Sequence, residues 1–387
     1  MRRDPTARAD GKLNGKAPKV ASFPAPAQSR TRPVLVMGGA GFIGSNLADR
    51  LAHEGRHVLV FDALSRPGVD QNLWRLKARH PRLVSAVIAD VRDEAAVGEA
   101  VGDADGVFHL AAQVAVTTSL DHPVEDFDVN ARGTLNVLEA LRRGSRRQPL
   151  LFASTNKVYG DLADLAVELR GEAYAPCDPD IARHGVAENR PLHFFTPYGC
   201  SKGAADQYVL DYARTYGLPT AVLRMSCIYG PHQFGTEDQG WVAHFLLSAM
   251  AGEPVTVYGD GCQVRDILYV DDAVSAYLAA YARIGEVQGQ AFNLGGGPAN
   301  AVSLRQVLSA AEELSGRPVA VNYAGWRPGD QRSYVSDTQR ITRALDLSPP
   351  LPWRTGLARL AEWLASGPAV RAVDPVQSSD YPAEVIR

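Results

Sequence analysis

The sequence has few cysteines, no excess of charge of one sign and no long apolar run. Its four cysteines, Cys177, Cys200, Cys227 and Cys262, form no Cys-x-x-Cys pair, and their spacing fits neither a zinc site nor a disulfide framework. A formal net charge of -3 in 387 residues gives no strong attraction to nucleic acid or to an anionic membrane. No stretch is long and apolar enough to span a bilayer. We therefore expect a cytoplasmic globular protein with reduced, mostly buried thiols, no metal, and neither nucleic acid nor membrane as a partner.

The two ends of the chain differ in composition from the rest. Residues 1–32 are rich in Arg, Lys, Pro, Ala and Ser and lack the apolar core of a signal peptide, which predicts a disordered tail. Residues 366–387 lose helical periodicity and are interpreted as a second tail. The remaining length exceeds one ordinary core, so we expect two lobes that share a cleft. We predict one lobe at 33–224 and a smaller α/β lobe at 225–365, from which some chain returns to the first.

Short apolar runs alternate with segments of helical spacing through the first lobe. This alternation indicates a parallel sheet with helices on both faces, a doubly wound fold of the Rossmann type. Ligands of such sheets bind beyond the carboxyl ends of the strands. The predicted strands are 33–37, 57–61, 83–88, 106–110, 150–153 and 220–224, with helices at 46–54, 71–79, 94–101, 124–143 and 197–216. Later helices are predicted at 241–250, 271–281, 303–314 and 355–364, and later strands at 255–258 and 320–323.

A glycine-rich turn follows the first predicted strand and opens a helix. Gly38, Gly41 and Gly44 permit a tight turn whose backbone amides can approach a pyrophosphate at the helix N-terminus. Asp62 closes the second strand, eighteen residues past Gly44, where a carboxylate can bind a ribose diol and repel a 2′-phosphate. NAD is therefore favoured over NADP, although Arg66 leaves NADP open. The predicted cofactor contacts also include Phe42, Ile43, Asp90, Val91, Leu110, Ala111, Ala112, Gln113, Tyr198 and Lys202.

Tyr198 and Lys202 are four residues apart on a predicted helix, so their side chains share one face. Free tyrosine titrates near pH ~10. An ammonium at ~4 Å in an effective dielectric of ~20 favours the phenolate by ~4 kcal/mol, about three pKa units before burial opposes it. The positive nicotinamide of a bound cofactor adds to this attraction. We therefore expect Tyr198 to accept a proton from an alcohol near neutral pH, while the hydroxyl of Thr155 donates to the alcohol oxygen. Lys202 should also hold the cofactor ribose.

From these residues the chain is identified as resembling the extended short-chain dehydrogenase/reductase superfamily over residues 33–364. Within it, longer strings resemble the CDP-tyvelose 2-epimerases. These are STNKVYG at 154–160, PYGCSKGAADQY at 197–208 and DQGW at 238–241. The resemblance implies a homodimer or homotetramer that retains NAD and inverts C2 of a nucleoside-diphosphate sugar through a transient 2-keto sugar. It implies Thr155, Tyr198 and Lys202 as catalytic residues.

The resemblance also implies how the nucleotide sugar is bound. Arginine suits a diphosphate because its fork pairs phosphate oxygens bidentately. The implied substrate-binding residues are Asn156, Lys157, Gln239, Arg265 and Arg327. Asn156 and Lys157 stand where the superfamily's 4,6-dehydratases carry Asp and Glu, which disfavours a dehydratase. Residue chemistry alone does not choose C2 over C4, so a 4-epimerase or another nucleotide-sugar enzyme on this scaffold stays an alternative, and a non-catalytic NAD(P) sensor is a weaker one.

Overall fold

A computed structural model describes residues 32–366. The predicted tails at 1–32 and 366–387 lie outside the described residues, apart from Arg32 and Ser366. No helix in the described part of the chain is long and apolar enough to cross a membrane.

The strands are β1 Val34–Met37, β2 Val58–Asp62, β3 Val84–Ile88, β4 Gly106–His109, β5 Leu150–Thr155, β6 Val167–Arg170, β7 Ala173–Pro176, β8 Thr220–Met225, β9 Cys227–Tyr229, β10 Val255–Tyr258, β11 Val264–Tyr269, β12 Ala291–Leu294, β13 Ala301–Ser303, β14 Val321–Ala324 and β15 Ser333–Tyr334.

The helices pack on both sides of the central sheet and around the later strands. They are α1 Phe42–His53, α2 Val69–Arg79, α3 Glu94–Asp103, α4 Val116–Asp121, α5 Pro123–Phe127, α6 Gly133–Arg143, α7 Pro179–His184, α8 Thr196–Tyr216, α9 Trp241–Ala251, α10 Val270–Ala282, α11 Ile284–Val287, α12 Leu304–Ser315, α13 Gln339–Leu345 and α14 Trp353–Ser366. A π-helical turn, Asp128–Arg132, joins α5 to α6, and 3₁₀ turns span Asn156–Tyr159 and Pro298–Asn300.

Seven parallel strands form the central sheet, in the order β12-β8-β5-β4-β1-β2-β3. Strand β1 shows why its sequence is apolar at every position. Val34 and Val36 belong to one buried cluster, and Leu35 and Met37 belong to another. Because successive side chains of a strand point to opposite faces, both faces of this sheet are covered. The predicted Rossmann-type parallel sheet is therefore confirmed.

The later part of the chain builds smaller sheets beside the large one. Strand β11 pairs with β9 and β15 in parallel and with β13 antiparallel, and β10 pairs with β14. A separate buried cluster covers these strands with side chains of α9, α12 and α14. Strand β12 lies beyond residue 225 yet completes the central sheet next to β8. The predicted lobe boundary at 224 and 225 stays a prediction.

Several elements were not predicted from the sequence. The segment 161–196 contains the antiparallel hairpin β6–β7 and helix α7. The helix predicted at 124–143 is divided by the π-helical turn. The expectation of mostly buried thiols is wrong, because Cys177 and Cys200 are exposed and Cys227 is partly exposed, leaving Cys262 buried. Cys177 follows the exposed hairpin and Cys200 lies on a solvent-facing position of α8.

A buried ion pair attaches α8 to the central sheet. Arg224 on β8 donates from Nε and Nη2 to both carboxylate oxygens of Asp206 on α8, each at 2.9 Å. Their side chains are 5% and 0% exposed. The hydroxyl of Ser154 on β5 also donates to Asp206, and Arg224 Nη1 donates to the hydroxyl of Tyr159. Helix α8 is thereby fixed to both β5 and β8.

Replacing Asp206 by asparagine should lower the free energy of unfolding by about 3 kcal/mol or more, because the Arg224 guanidinium then stays buried without its carboxylate. Chemical denaturation measures the change. Glu313→Gln is the matched control, since it breaks an ion pair with Arg354 whose side chains are both 61% exposed. That change should cost less than about 1 kcal/mol. Equal effects of the two substitutions would contradict a structural role for the buried pair.

Candidate functional site

The glycine turn lies between β1 and α1, at the carboxyl edge of the central sheet. A Cβ added at Gly44 would lie 2.1 Å from the carbonyl oxygen of Gly38, and one at Gly38 would lie 2.6 Å from the amide nitrogen of Ala111. No larger residue fits these two positions. Gly41 is the N-cap of α1, with no side-chain cap and no acidic residue in the first turn. The amides of Phe42 and Ile43 therefore begin a helix that no side chain of its own first turn caps.

Asp62, the last residue of β2, holds this turn in shape. Its Oδ2 accepts a hydrogen bond from the amide of Ala40 and its Oδ1 accepts one from the amide of Leu64, each at 2.9 Å. Burial raises the pKa of Asp62, and the backbone hydrogen bonds and the charge of Arg66 oppose that rise. Each carboxylate oxygen keeps a further lone pair. The carboxylate therefore combines a structural role with the capacity to accept ribose hydroxyls, which stays a prediction.

The other predicted cofactor residues follow β3 and β4. Asp90 pairs with Arg92 at 2.7 Å, and hydrogen bonds from Arg92 lower the pKa of Asp90. Val91 is buried. Leu110 donates its amide to Met37, and the adjacent Ala111 and Ala112 are only partly buried. At Gln113, backbone and side-chain NH₂ are hydrogen-bonded, whereas Oε1 is buried and has no partner among the described residues.

These features fit a bound dinucleotide. The uncapped N-terminus of α1 suits a pyrophosphate, Asp62 suits a diol, and Gln113 offers a buried acceptor that lacks a donor. The residues that hold NAD in this arrangement would be the glycine turn, Asp62 and the segment 110–113. The side chain of Asp90 is engaged with Arg92 rather than directed to a free site.

Three side chains meet at the end of β5, where the reaction centre was predicted. Tyr198 lies in the first turn of α8, and its phenol lies close enough to the hydroxyl of Thr155, the last residue of β5, for that hydroxyl to affect its pKa. In the structure the Thr155 hydroxyl donates to Oδ1 of Asn156 at 3.3 Å. Lys202 follows one helical turn later. Its Nζ donates to the carbonyl oxygen of Ala153 at 2.6 Å and lies 4.2 Å from the ring centroid of Phe152. Tyr198 and Lys202 are both buried.

The start of α8 fixes the phenol through an unusual backbone conformation. Thr196 has a φ of 65°, in the left-handed region that β-branched residues rarely adopt. Its hydroxyl accepts a hydrogen bond from the amide of Gly199 at 3.3 Å, and Pro197 fits the first turn because it needs no amide partner. The amide of Tyr198 donates to the hydroxyl of Ser119 at 3.2 Å. Strain of this kind is found at functional sites, where the surrounding structure imposes it.

In the absence of the cofactor, burial opposes the ionisation expected of Tyr198, and a phenolate beside bound NAD stays a prediction. Burial raises the pKa of Tyr198 to about 12, which the hydroxyl of Thr155 only partly opposes. Burial also lowers the pKa of Lys202 to about 7, although the charges of Asp206 and Asp126 favour its ammonium form. Removal from water is therefore the largest influence on the pKa of both groups. A positive charge beside Tyr198 would lower the pKa of its phenol.

A buried polar cluster beneath the reaction centre was missed by sequence reasoning. Ser201 donates to Asp126, and Asn130 donates to Asp126 Oδ1 at 3.1 Å and to the carbonyl oxygen of Gln113 at 3.0 Å. All three polar side chains are buried. The π-helical turn at 128–132 places Asn130 toward β4, a feature frequent near functional sites. The only signal was the spacing of four between Asp126 and Asn130, which places two polar residues on one helix face.

Two predicted substrate residues contact a loop from the later part of the chain. Asn156 donates from Nδ2 to Oε1 of Gln331 at 3.0 Å, and Gln331 donates to the carbonyl oxygen of Gly160 at 2.7 Å. Lys157 donates to the carbonyl oxygen of Gly329 at 3.1 Å. Residues 327–331 therefore lie across the end of β5, directly after Thr155.

The two predicted arginines lie in different surroundings, and neither is a free surface side chain. Arg265 is buried and pairs with Asp330. Arg327 pairs with Asp238 at 3.0 Å and lies 3.8 Å from the ring centroid of Tyr258. Nε of Arg327 and Oε1 of Gln239 are buried without hydrogen-bond partners among the described residues. The structure thus brings Arg265 next to the 327–331 loop and Arg327 next to the 237–239 loop.

The comparisons with known proteins agree with this arrangement. The model of the NAD dependent epimerase/dehydratase family matches residues 34–295. CDP-paratose 2-epimerase of Salmonella typhi is 41% identical over 340 residues, which cover 86% of this chain and 99% of that protein. The structure of UDP-glucose 4-epimerase from Thermus thermophilus in complex with NAD is 32% identical, with a TM-score of 0.72 over 86% of this chain and 99% of that one.

A second solved structure extends the likeness to another activity. UDP-glucuronic acid 4-epimerase of Bacillus cereus, in complex with UDP-glucuronic acid and NAD, is 26% identical, with a TM-score of 0.73 over 86% of this chain and 99% of that one. The matched region contains the glycine turn, Thr155, Tyr198 and Lys202. This chain belongs to the NAD dependent epimerase/dehydratase family.

Proposed function

We propose that this protein is an NAD-dependent nucleotide-sugar 2-epimerase of the CDP-paratose/CDP-tyvelose type. The observation that carries the proposal is the 41% identity to CDP-paratose 2-epimerase over 99% of that protein. The site supports it, because Tyr198, Thr155 and Lys202 meet at the end of β5 beside the predicted dinucleotide turn. The reaction begins and ends with the same oxidation state, so no outside electron acceptor is required.

The protein's own residues account for proton handling in this reaction. NAD, when bound, accepts a hydride from the carbon that carries the hydroxyl and returns it. Tyr198 takes the proton of the C2 hydroxyl and later returns it. Thr155 donates a hydrogen bond to the same oxygen while carbonyl character develops. The 2-keto sugar must present its opposite face before hydrogen returns to C2, which inverts that centre.

Lys202 contributes to this chemistry through its charge and its hydrogen bond. Its ammonium is held by the carbonyl oxygen of Ala153 and favoured by Asp206 and Asp126. It also offers further N–H groups for the cofactor ribose. Burial raises the pKa of Tyr198 to about 12, and the positive charge of a bound nicotinamide would favour ionisation of the phenol. We expect NAD to be tightly held and recycled.

The main alternative is a 4-epimerase or another nucleotide-sugar enzyme on the same scaffold. Related proteins with those activities are less similar, since UDP-glucose 4-epimerase of Mycolicibacterium smegmatis is 32% identical. A 4,6-dehydratase is disfavoured because Lys157 cannot serve as a carboxylic acid. Incubation of the purified protein with CDP-, UDP- and GDP-sugars decides among these. A sensor without activity is disfavoured because Tyr198 and Lys202 are both kept.

We also propose a cytoplasmic homodimer or homotetramer, with a nucleoside-diphosphate sugar as its small-molecule partner. Apolar side chains on α4 and α5 support self-association. Leu120, Val124 and Phe127 are 43%, 73% and 51% exposed. Helix α8, which carries Tyr198, packs directly against these helices. Association through this surface would stabilise the helix that bears the reaction centre.

Asp62→Asn should reduce NAD affinity by about 10-fold or more, because a neutral amide loses the charge-assisted hydrogen bonds to the ribose diol. The absorbance of the dinucleotide released on denaturation measures the occupancy. Glu94→Gln, at an exposed position of α3, is the control and should keep full occupancy. Unchanged NAD content in Asp62→Asn would show that the carboxylate of Asp62 does not contribute to NAD binding.

Tyr198→Phe should lower kcat for interconversion of CDP-paratose and CDP-tyvelose by at least about 10²-fold, since no other group takes the hydroxyl proton. NMR of the sugar follows the reaction. Tyr208→Phe is the matched control, because Tyr208 lies on the same helix and is 48% exposed. NAD content should be unchanged in both variants. Full turnover by Tyr198→Phe would end the assigned mechanism.

Turnover in heavy water should give product with no solvent deuterium at C2, because hydrogen leaves and returns within the enzyme. NMR of the purified product measures the incorporation. A parallel reaction in ordinary water fixes the signal for full protonation at C2. Deuterium at C2 would indicate enolisation and would rule out transient oxidation at that carbon.

A further inference from the structure

Lys157 is a cation whose hydrogen-bonding groups are largely unused within the described residues. Its ammonium has three donors. One donates to the carbonyl oxygen of Gly329 at 3.1 Å. The nearest carboxylate oxygen, Oδ1 of Asp330, lies 3.8 Å away, too far for a hydrogen bond. The side chain is 20% exposed, so the charge is largely removed from bulk water without being fully paired.

The carboxylate of Asp330 is already engaged by Arg265. Nη2 of Arg265 donates to the same Oδ1, while Nη1 donates to the carbonyl oxygens of Val264 and Gln331, each at 2.7 Å. Two cations therefore share the carboxylate of Asp330, and the other carboxylate that acts on Lys157, that of Asp161, makes no hydrogen bond to it. A poorly solvated ammonium without a hydrogen-bonded counter-charge is unfavourable. The arrangement favours an additional anion beside Lys157.

The position of Lys157 limits what that anion can be. Lys157 follows Thr155 by two residues, and its amide donates to the Thr155 hydroxyl at 3.2 Å. Its ammonium reaches Asp330, the partner of Arg265. Lys157 thus spans the distance between the sugar-oxidising end of the site and the arginine expected to bind the diphosphate. An anionic group that joins a nucleoside to a sugar would lie between these two points.

We propose that Lys157 and Arg265 together bind the diphosphate of the nucleotide sugar, and that Lys157 lies beside the phosphate that bears the sugar. This inference rests on the proposed function and names the part of the substrate that Lys157 contacts. The lysine thereby links binding of the nucleotide to placement of the sugar beside Tyr198 and Thr155.

The electrostatics around Lys157 agree with a site completed by an anion. Burial lowers the pKa of Lys157 to about 8. The charged or titratable groups that face it are Asp330, Arg265, Cys227 and Asp161; Arg265 lowers the pKa further and the other three raise it. Burial raises the pKa of Cys227, so this thiol stays neutral near pH ~8. A phosphate beside the ammonium would raise the pKa of Lys157, so binding should take up protons above pH ~8.

Calorimetry with the NAD-saturated protein tests this directly, with CDP, cytidine and inorganic pyrophosphate as probes. Lys157→Met should lower the affinity for CDP and for pyrophosphate by about 10-fold or more and leave the affinity for cytidine unchanged, because only the phosphates lose a charge-assisted hydrogen-bond partner. Lys157→Arg should retain most of the affinity. Arg332→Met is the matched control, since Arg332 is exposed, adjacent to Gln331 and stacked on Trp326.

The same titrations near pH ~8.5, in two buffers of different ionisation enthalpy, report proton uptake. The diphosphate of CDP is fully ionised there, so CDP itself contributes no uptake. The wild-type protein should take up protons on binding CDP, and Lys157→Met should take up none. An equal loss of affinity for CDP and cytidine in Lys157→Met would contradict the inference, because it would mean that Lys157 only stabilises the 327–331 loop. Unchanged affinity for CDP and pyrophosphate would overturn the inference.

Failure of this inference can be told apart from failure of the proposed function. The wild-type protein could bind pyrophosphate in a manner that depends on Lys157 and yet neither bind CDP nor convert CDP-paratose. That result would support the phosphate site and contradict the CDP-type activity. Conversion of CDP-paratose by the wild-type protein, together with normal binding of CDP by Lys157→Met, would support the activity and contradict the phosphate site.

Discussion

The attachment of α8 to the central sheet is the constraint on which the reaction centre depends. The ion pair of Asp206 with Arg224 is fully buried and bidentate, and Ser154 adds a hydrogen bond from β5. Asp206 lies one helical turn after Lys202, and Lys202 lies one turn after Tyr198. Fixing Asp206 against β8 and β5 therefore sets the distance of the phenol from Thr155 and of the ammonium from Ala153. A helix free to slide on the sheet would separate groups that act only in contact.

Burial of this centre has an electrostatic cost. Removal from water disfavours both charged forms, so Tyr198 is harder to ionise and Lys202 is easier to neutralise. The carboxylates of Asp126 and Asp206 keep the lysine nearer its charged form. If the nicotinamide binds beside the phenol, as proposed, its positive charge would act in a medium of low dielectric, where charge has a large effect.

The loop at 327–331 unites the two ends of the proposed substrate site. Gln331 contacts Asn156 and Gly160, Asp330 pairs with Arg265, and Gly329 accepts from Lys157. Residues that follow Thr155 along the chain are thereby in contact with residues more than 170 positions later. Binding energy from a nucleoside diphosphate held at this loop can be used to orient the sugar, which is how remote contacts raise kcat.

The sequence by itself determined the central fold and the identity of the reacting groups. Alternating apolar runs and helical segments have a local cause, so β1 to β5 and β8 were predicted within a few residues, and so was α8. The glycine turn, Asp62, Tyr198 and Lys202 were visible because their chemistry depends on spacing along one strand or helix.

Only the tertiary structure decided the rest. β12 joins the sheet from a distant segment, and the hairpin β6–β7 lies in a segment without clear periodicity. The cluster of Asp126, Asn130 and Ser201, and the contacts of Lys157 with Asp330, join residues far apart in the chain. The pKa of Tyr198 depends on how much water the folded protein excludes, and no local pattern contains that quantity.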